Sequence, residues 1–175
     1  MEREQFQKEL MKRALEQGFE HCEVYFESAE NFEVLVLEGE ISHYENSSQT
    51  GICFRGIYNG SMGYAYATTM EEETIDYIIQ QSKENAEVIE ETEKEVIFEG
   101  SDEYTQIDSY NENLKMLSPE QKMEAAKEME KGALQEYEQV SIDYCVLQTI
   151  DKTIALSNSK GLSLCHRKNG IAANI

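Results

Sequence analysis

Residues 51–69 read GICFRGIYNGSMGYAYATT and run directly into MEEETIDYII. Asn59-Gly60 between apolar and aromatic flanks is the strongest short-range signal for a tight two-residue hairpin with both turn residues at positive φ. Two antiparallel strands follow from it, and Gly60 is accounted for as a turn residue. Gly51, Gly56 and Gly63 are not needed by the turn. Glycine inside a strand weakens it unless there is a bulge or another backbone comes close. A curved, crowded hairpin is therefore predicted, and a backbone bent to meet a ligand or partner is the other reading of the same glycines.

Upstream, Phe6, Leu10, Met11, Ala14 and Leu15 recur at helical spacing and Gly18 supplies a left-handed stop, predicting a helix over about residues 3–17. From His21 the period becomes two, with Cys22, Val24 and Phe26 alternating against Glu23, Tyr25 and Glu27. A turn is predicted at SAEN (28–31), then a strand FEVLVLEGEI (32–41) that is apolar on both faces from Val34 to Leu37 and so central in its sheet. ISHYENSSQT (41–50) extends the meander.

Downstream, Thr69 and Glu72 are spaced as a capping box, and Ile75, Ile78, Ile79, Ala86 and Ile89 form one apolar stripe that should pack on the preceding sheet. The acidic stretch that follows has no sustained period and is expected to cross the surface. Ser118-Pro119-Glu120-Gln121 starts a third helix with a cap, a proline at the first helical position and a glutamine to close the box. Met123, Ala126, Met129, Ala133, Leu134 and Tyr137 are its apolar side. VSIDYCVLQTI (140–150) reads as a strand, and TIALSNSKGLSLCHR (153–167) as strand, turn, strand. The order α-β(4-5)-α-α-β(3) gives an α+β class, a largely antiparallel sheet with three helices. It divides into a helix/β-meander/helix lobe over 1–90, an acidic connection over 91–117 and a helix/β-hairpin lobe over 118–175.

The chain has 35 Asp and Glu against 15 Lys and Arg, a formal charge of −20. Phosphate binding needs a basic footprint, so nucleic acid is excluded as a partner, and adhesion to anionic membranes is disfavoured. The N-terminal stretch scatters charges and has no apolar run, which argues against a signal peptide or a span and for a cytoplasmic location. Cys22, Cys53, Cys145 and Cys165 are far apart in apolar alternating segments without a CxxC pair, so each is expected to act as a small hydrophobe and no disulfide framework or structural metal is expected.

His21, His43 and His166 lack HExxH spacing, and the couples His21-Cys22 and Cys165-His166 point to opposite faces of a strand. No phosphate loop or nucleophile elbow is present. The carboxylates are too numerous to nominate an acid–base pair. No catalytic residue and no metal ligand is therefore assigned in this chain.

The ordered set Glu23-Val24-Tyr25, Gly39-Glu40, Gly51, Arg55, Asn59-Gly60, Gly63 and Ala65, with the later turn of Asn158, Ser159 and Gly161, resembles the N-terminal region of the TldD/PmbA proteins. These are also known as peptidase family U62 and as modulators of DNA gyrase. Cys53 and Phe54 depart from the small residue the family pattern has between Gly51 and Arg55. The family's active members carry an HExxxH zinc motif and a cysteine ligand in a C-terminal half, and their chains are longer than this one. The resemblance therefore implies an N-terminal portion of a longer protein, inactive alone, with zinc expected in the C-terminal half of an active member or in a partner subunit.

It further implies a cytosolic metallopeptidase assembly that degrades or trims unfolded peptides, to which this chain contributes substrate enclosure and subunit assembly. The partner is a TldD-type subunit or a second copy. The LKML–YEQV region (114–140) resembles the PmbA (TldE) branch, which lacks the zinc ligands. Arg55, Gly56, Asn59, Gly60, Gly63, Asn158, Ser159 and Gly161 are the candidate substrate- or partner-binding residues, with an extended peptide adding to a strand edge. Arg55 is equally read as a surface residue paired with a carboxylate. The alternative function is an acidic, non-enzymatic interaction domain acting on gyrase by protein contact.

Overall fold

The computed structural model describes residues 1–89, 95–136 and 141–175. Its elements are α1 (Arg3–Glu16), β1 (His21–Leu37), β2 (Glu40–Tyr58), β3 (Ser61–Ala67), α2 (Glu72–Val88), α3 (Glu112–Lys115), α4 (Pro119–Glu136), β4 (Cys145–Asn158) and β5 (Ser163–Asn174). The strands form one sheet in the order β3-β2-β1-β4-β5. The α+β class with an antiparallel sheet is as read from the sequence, and the segment judged central for its two apolar faces does lie in the middle strand, β1.

The strand inventory is corrected. SAEN is not a turn but the middle of β1, and 41–50 continues unbroken into 51–58 as β2. Turn-prone composition loses here because β1 has a neighbour on each side, and a ladder on both edges holds even Ser28–Asn31 extended. The reversal sits instead at Glu38 (φ 54°) and Gly39 (φ 78°). Cys145–Asn158 is likewise one strand, and Tyr137 and Val140 lie outside the described residues.

Helix ends divide the same way. Gly18, at φ 99°, stops α1 as expected, and the Ser118 box forms in both directions: Gln121 N–H donates to Ser118 Oγ at 3.2 Å and Ser118 N–H to Gln121 Oε1 at 2.8 Å. The Thr69 box does not form. Thr69 Oγ1 pairs with Thr74 Oγ1 at 2.9 Å, α2 starts only at Glu72, and Ile89 is its extended C-cap. The short helix α3 is an addition, capped by Asn111 Oδ1, which accepts from the N–H groups of Asn113 and Leu114. One turn is too short to show a helical period.

The chain forms two compact units, interleaved because four of the five strands contribute to both. Unit one comprises 1–28, 50–106 and 153–166. Its core joins Phe6, Leu10 and Ala14 of α1, Cys22, Val24 and Phe26 of β1, Ile52 and Phe54 of β2, and Ile75, Ile78 and Ile79 of α2. Each of these large side chains contributes about 1.5–3 kcal/mol by leaving water. Unit two comprises 29–49, 107–152 and 167–175. Its core is Phe32, Val34 and Val36 of β1, Ala126 of α4, and Cys145 and Leu147 of β4. Buried Glu130 of α4 accepts the Gly39 N–H at 2.6 Å and so ties the β1–β2 turn to the helix. Among the described residues no helix is long and apolar enough to cross a membrane.

All four cysteines are free, but only Cys22 and Cys145 are buried; Cys53 and Cys165 are exposed. The expectation of four small core hydrophobes is corrected for those two. Cys53 alternates with the core residues Ile52 and Phe54, and Cys165 lies on the edge strand β5.

Candidate functional site: the open face of the β1–β2–β3 sheet

The register of the β2–β3 hairpin sets Arg55 opposite Tyr64 and Cys53 opposite Tyr66. Directly opposed residues project to one face, and so do alternate residues of a strand. The other face carries Phe54 and Gly56 into the unit-one core, so Cys53, Arg55, Tyr64 and Tyr66 share the outward one. Glu23 of β1 reaches the same face. Its Oε1 accepts from Arg55 Nε at 2.8 Å and lies 2.7 Å from Arg55 Nη2.

The pair is asymmetric in exposure. The Glu23 side chain is 8% exposed and that of Arg55 39%. A buried carboxylate thus aims a half-open guanidinium, which has five N–H donors and keeps some for a ligand. Beside it Tyr25 donates its hydroxyl to Glu27 Oε2 at 2.6 Å. That hydrogen bond to a carboxylate pushes the phenol up to about 12, so it remains a donor across the physiological range. Tyr64 and Tyr66 are exposed. The face therefore offers a held cation together with exposed aromatic side chains.

Its turn end is closed. Ile97 packs on Ile57 and Met62 and is itself buried. One residue on, the Phe98 carbonyl accepts from Asn158 Nδ2 at 2.7 Å. The segment described from residue 95 onward, expected to cross the surface, is anchored here through an apolar contact and a buried amide.

The remaining candidates make structural contacts within unit one. Asn59 (φ 52°) and Gly60 (φ 84°) form the predicted turn, and Gly60 N–H donates to Glu20 Oε1 at 3.0 Å. A Cβ on Gly56 would lie 2.5 Å from the Phe19 ring, and one on Gly63 only 1.9 Å from the Ser82 carbonyl oxygen. Gly51 has ordinary contact distance to Tyr66, 3.6 Å. Crowding by Phe19 and by α2 thus accounts for two of the three glycines the turn does not need.

Asn158 Oδ1 accepts from the N–H groups of Lys160 and Leu162. Ser159 brackets Cys22: its Oγ accepts the Cys22 N–H at 3.0 Å and its N–H donates to the Cys22 carbonyl at 2.8 Å. Gly161 takes φ 103°. Burial pushes the Cys22 thiol up to about 12, partly offset by the Ser159 contact, so it is not a nucleophile at neutral pH.

Of the candidates, Arg55 faces outward with donors to spare. Glu23, its orienting partner, was not among them. The signal for it was the Glu23, Tyr25, Glu27 alternation, which puts a polar row beside the strand that carries Arg55. The strand edge is less available than expected. Asn85 of α2 donates its Nδ2 to the Tyr64 carbonyl at 2.7 Å, so a peptide adding to β3 there must displace it.

Residues 22–86 match the family described as PmbA/TldA metallopeptidase domain 1. That stretch is similar to the first domain of that family. No curated protein matches the sequence. Among solved structures, a protein named as a modulator of a DNA gyrase from Thermotoga maritima superposes with TM-score 0.84 at 21% identity, over 96% of this chain and 38% of that one. TldE from Thermococcus kodakarensis gives 0.83 at 22%, over 95% and 37%. A protein named as a modulator of DNA gyrase from Bacteroides thetaiotaomicron gives 0.82 at 15%, over 98% and 40%. These likenesses establish the fold, and the chain spans about two fifths of the length of those proteins.

The family's metallopeptidase designation implies a metal. Among the described residues no three His, Cys, Asp or Glu side chains are placed to hold one. The donors among the described residues do not fit a metal centre, and no metal-dependent step is assigned to them.

Proposed function

We propose that the chain is the N-terminal domain of a metallopeptidase assembly that degrades or processes unfolded peptides, where it encloses substrate and joins subunits. The observation that carries this reading is the family match over residues 22–86, the stretch that builds the Glu23–Arg55 face. Arg55 can take a peptide carbonyl or carboxylate, and Tyr64 and Tyr66 add aromatic contacts indifferent to sequence, which suits an unfolded chain. With Asn85 on the Tyr64 carbonyl, the peptide is held by side chains on the face rather than by the β3 edge.

Zinc belongs in this reading to a C-terminal half or to a TldD-type partner, and the chain falls in the PmbA (TldE) branch and in the cytoplasm. The test is peptide cleavage by the pure 175-residue chain, alone and mixed with a zinc-bearing TldD-type subunit. Cleavage only in the mixture is expected. Metal-dependent cleavage by the chain alone overturns the division of labour.

The charge of −20 and the gyrase-modulator names of two matched structures favour a second reading, an acidic non-enzymatic interaction domain. Any effect on gyrase then runs through protein contact, because the charge repels DNA. A stable complex with gyrase, and none with a TldD-type subunit, supports it.

A further inference from the structure

Unit two carries a polar, partly open cavity of about 180 Å³ that the proposed function does not use. Two lysines border it, and they differ. Lys115 Nζ lies 2.6 Å from Glu30 Oε2 and 3.0 Å from Asp151 Oδ2, and these carboxylates hold its pKa above the ordinary lysine range. Asp151 also accepts the Tyr110 hydroxyl at 2.8 Å. Lys115 is thus compensated twice.

Lys122 is not. Its Nζ donates to Thr149 Oγ1 at 3.0 Å and stands 5.0 Å from the centre of the Phe32 ring. Among the described residues it has no carboxylate within 4.0 Å. Burial is the main force drawing its pKa down, with Lys115 adding to it, while Glu30 and Asp151 act at longer range in the opposite direction. An ammonium has three donors, and only one is used. In a chain with 35 acidic and 15 basic residues, a cavity-lining ammonium without a direct ion pair among the described residues stands out.

Leu117 and Pro119, at the start of α4, also line the cavity, so the positive end of that helix lies beside Lys122. At the start of α4 Pro119 has no N–H, the Gln121 N–H goes to Ser118 Oγ and the Lys122 N–H to the Ser118 carbonyl, and the lysine side chain is taken as the contact group. Glu30 and Asp151 border the same space and would repel a dianion strongly. A compact monoanion with paired acceptors meets these conditions.

We propose that this cavity binds the carboxylate group of a small acid or of a peptide terminus, through Lys122 Nζ with Thr149 beside it. The test is an NMR titration of the 175-residue chain with acetate, with N-acetyl-dialanine and with the amide of that peptide. Saturable shifts at Lys115, Lys122, Thr149 and Asp151 are expected for the acids with Kd of about 1 mM, and at least about tenfold weaker binding for the amide. Acetate binding as well as the peptide acid identifies a free small acid as the ligand; tighter peptide binding identifies a terminus. Equal binding of the amide, or no shift with any of the three, overturns the proposal. Lys122→Gln should abolish the shifts and Lys122→Arg retain part of them, and unchanged binding in Lys122→Gln also overturns it. If Lys122→Gln fails to fold, the comparison of acid with amide on the native chain still decides.

Discussion

A single carboxylate oxygen, Glu23 Oε1, lies within 2.8 Å of two guanidinium nitrogens of Arg55, with the acid nearly buried and the base half open. Removing the base leaves a carboxylate without its partner, while removing the acid frees an exposed guanidinium. Arg55→Ala should therefore destabilise more than Glu23→Gln, by about 1–2 kcal/mol, which is less than a fully buried pair costs because water reaches Arg55. Urea midpoints measure this. In the peptidase assembly Arg55→Ala should also lower peptide turnover, and turnover equal to wild type removes Arg55 from the mechanism.

The hairpin glycines should separate by what stands over them. Gly63→Ala drives a Cβ to 1.9 Å from the Ser82 carbonyl oxygen, backbone that cannot step aside without shifting α2, and should cost about 3 kcal/mol or more. Gly51→Ala meets only the Tyr66 ring at contact distance and should be neutral or stabilising by up to about 1 kcal/mol. Thermal unfolding of the two variants is the check, and similar losses for both would falsify the crowding account.

At alkaline pH the Cys22 thiol should dominate the loss of stability. Burial raises its folded pKa from 9.0 to about 12, so between those values the folded chain keeps a proton that the unfolded chain has released. The contribution is whole below pH 9 and is lost as pH rises towards 12, by up to about 1.4 kcal/mol per pH unit. Stability followed from pH 8 to 11 should fall more steeply in the native chain than in Cys22→Ala. Parallel curves contradict it.

The turn at Asn158 and Ser159 should tolerate less change than its surface position suggests. Asn158→Ala strips the Phe98 carbonyl and the N–H groups of Lys160 and Leu162 of a common partner at a nearly buried site, a loss of about 2–3 kcal/mol. Ser159→Ala gives up one bond to the Cys22 N–H, about 1 kcal/mol. Equal effects would mean that the Phe98 anchor contributes nothing.

What could be read in advance was local. Asn59-Gly60, Gly18 and the Ser118 box each act within a few residues, where turn and capping chemistry is decisive. The Thr69 box failed because α2 starts only at Glu72, and Thr74, five residues on, pairs with the hydroxyl that the spacing reserved for a backbone donor. Of the candidate site, Arg55 was visible and Glu23 was not. Their pairing depends on the register of β1 against β2, and a break assumed at SAEN leaves that register undefined. A slip of one residue would put Glu23 in the core. Ile97 was invisible for a different reason: one apolar anchor in an acidic stretch has no period.

The most direct test of the central claim is hydrogen–deuterium exchange of the 175-residue chain, alone and mixed with a zinc-bearing TldD-type subunit and an unfolded peptide. Slowed exchange across residues 53–67 in the mixture, diminished in Arg55→Ala, is the predicted result. Unchanged exchange in that segment, whether or not a complex forms, contradicts the assignment of the Glu23–Arg55 face to substrate enclosure.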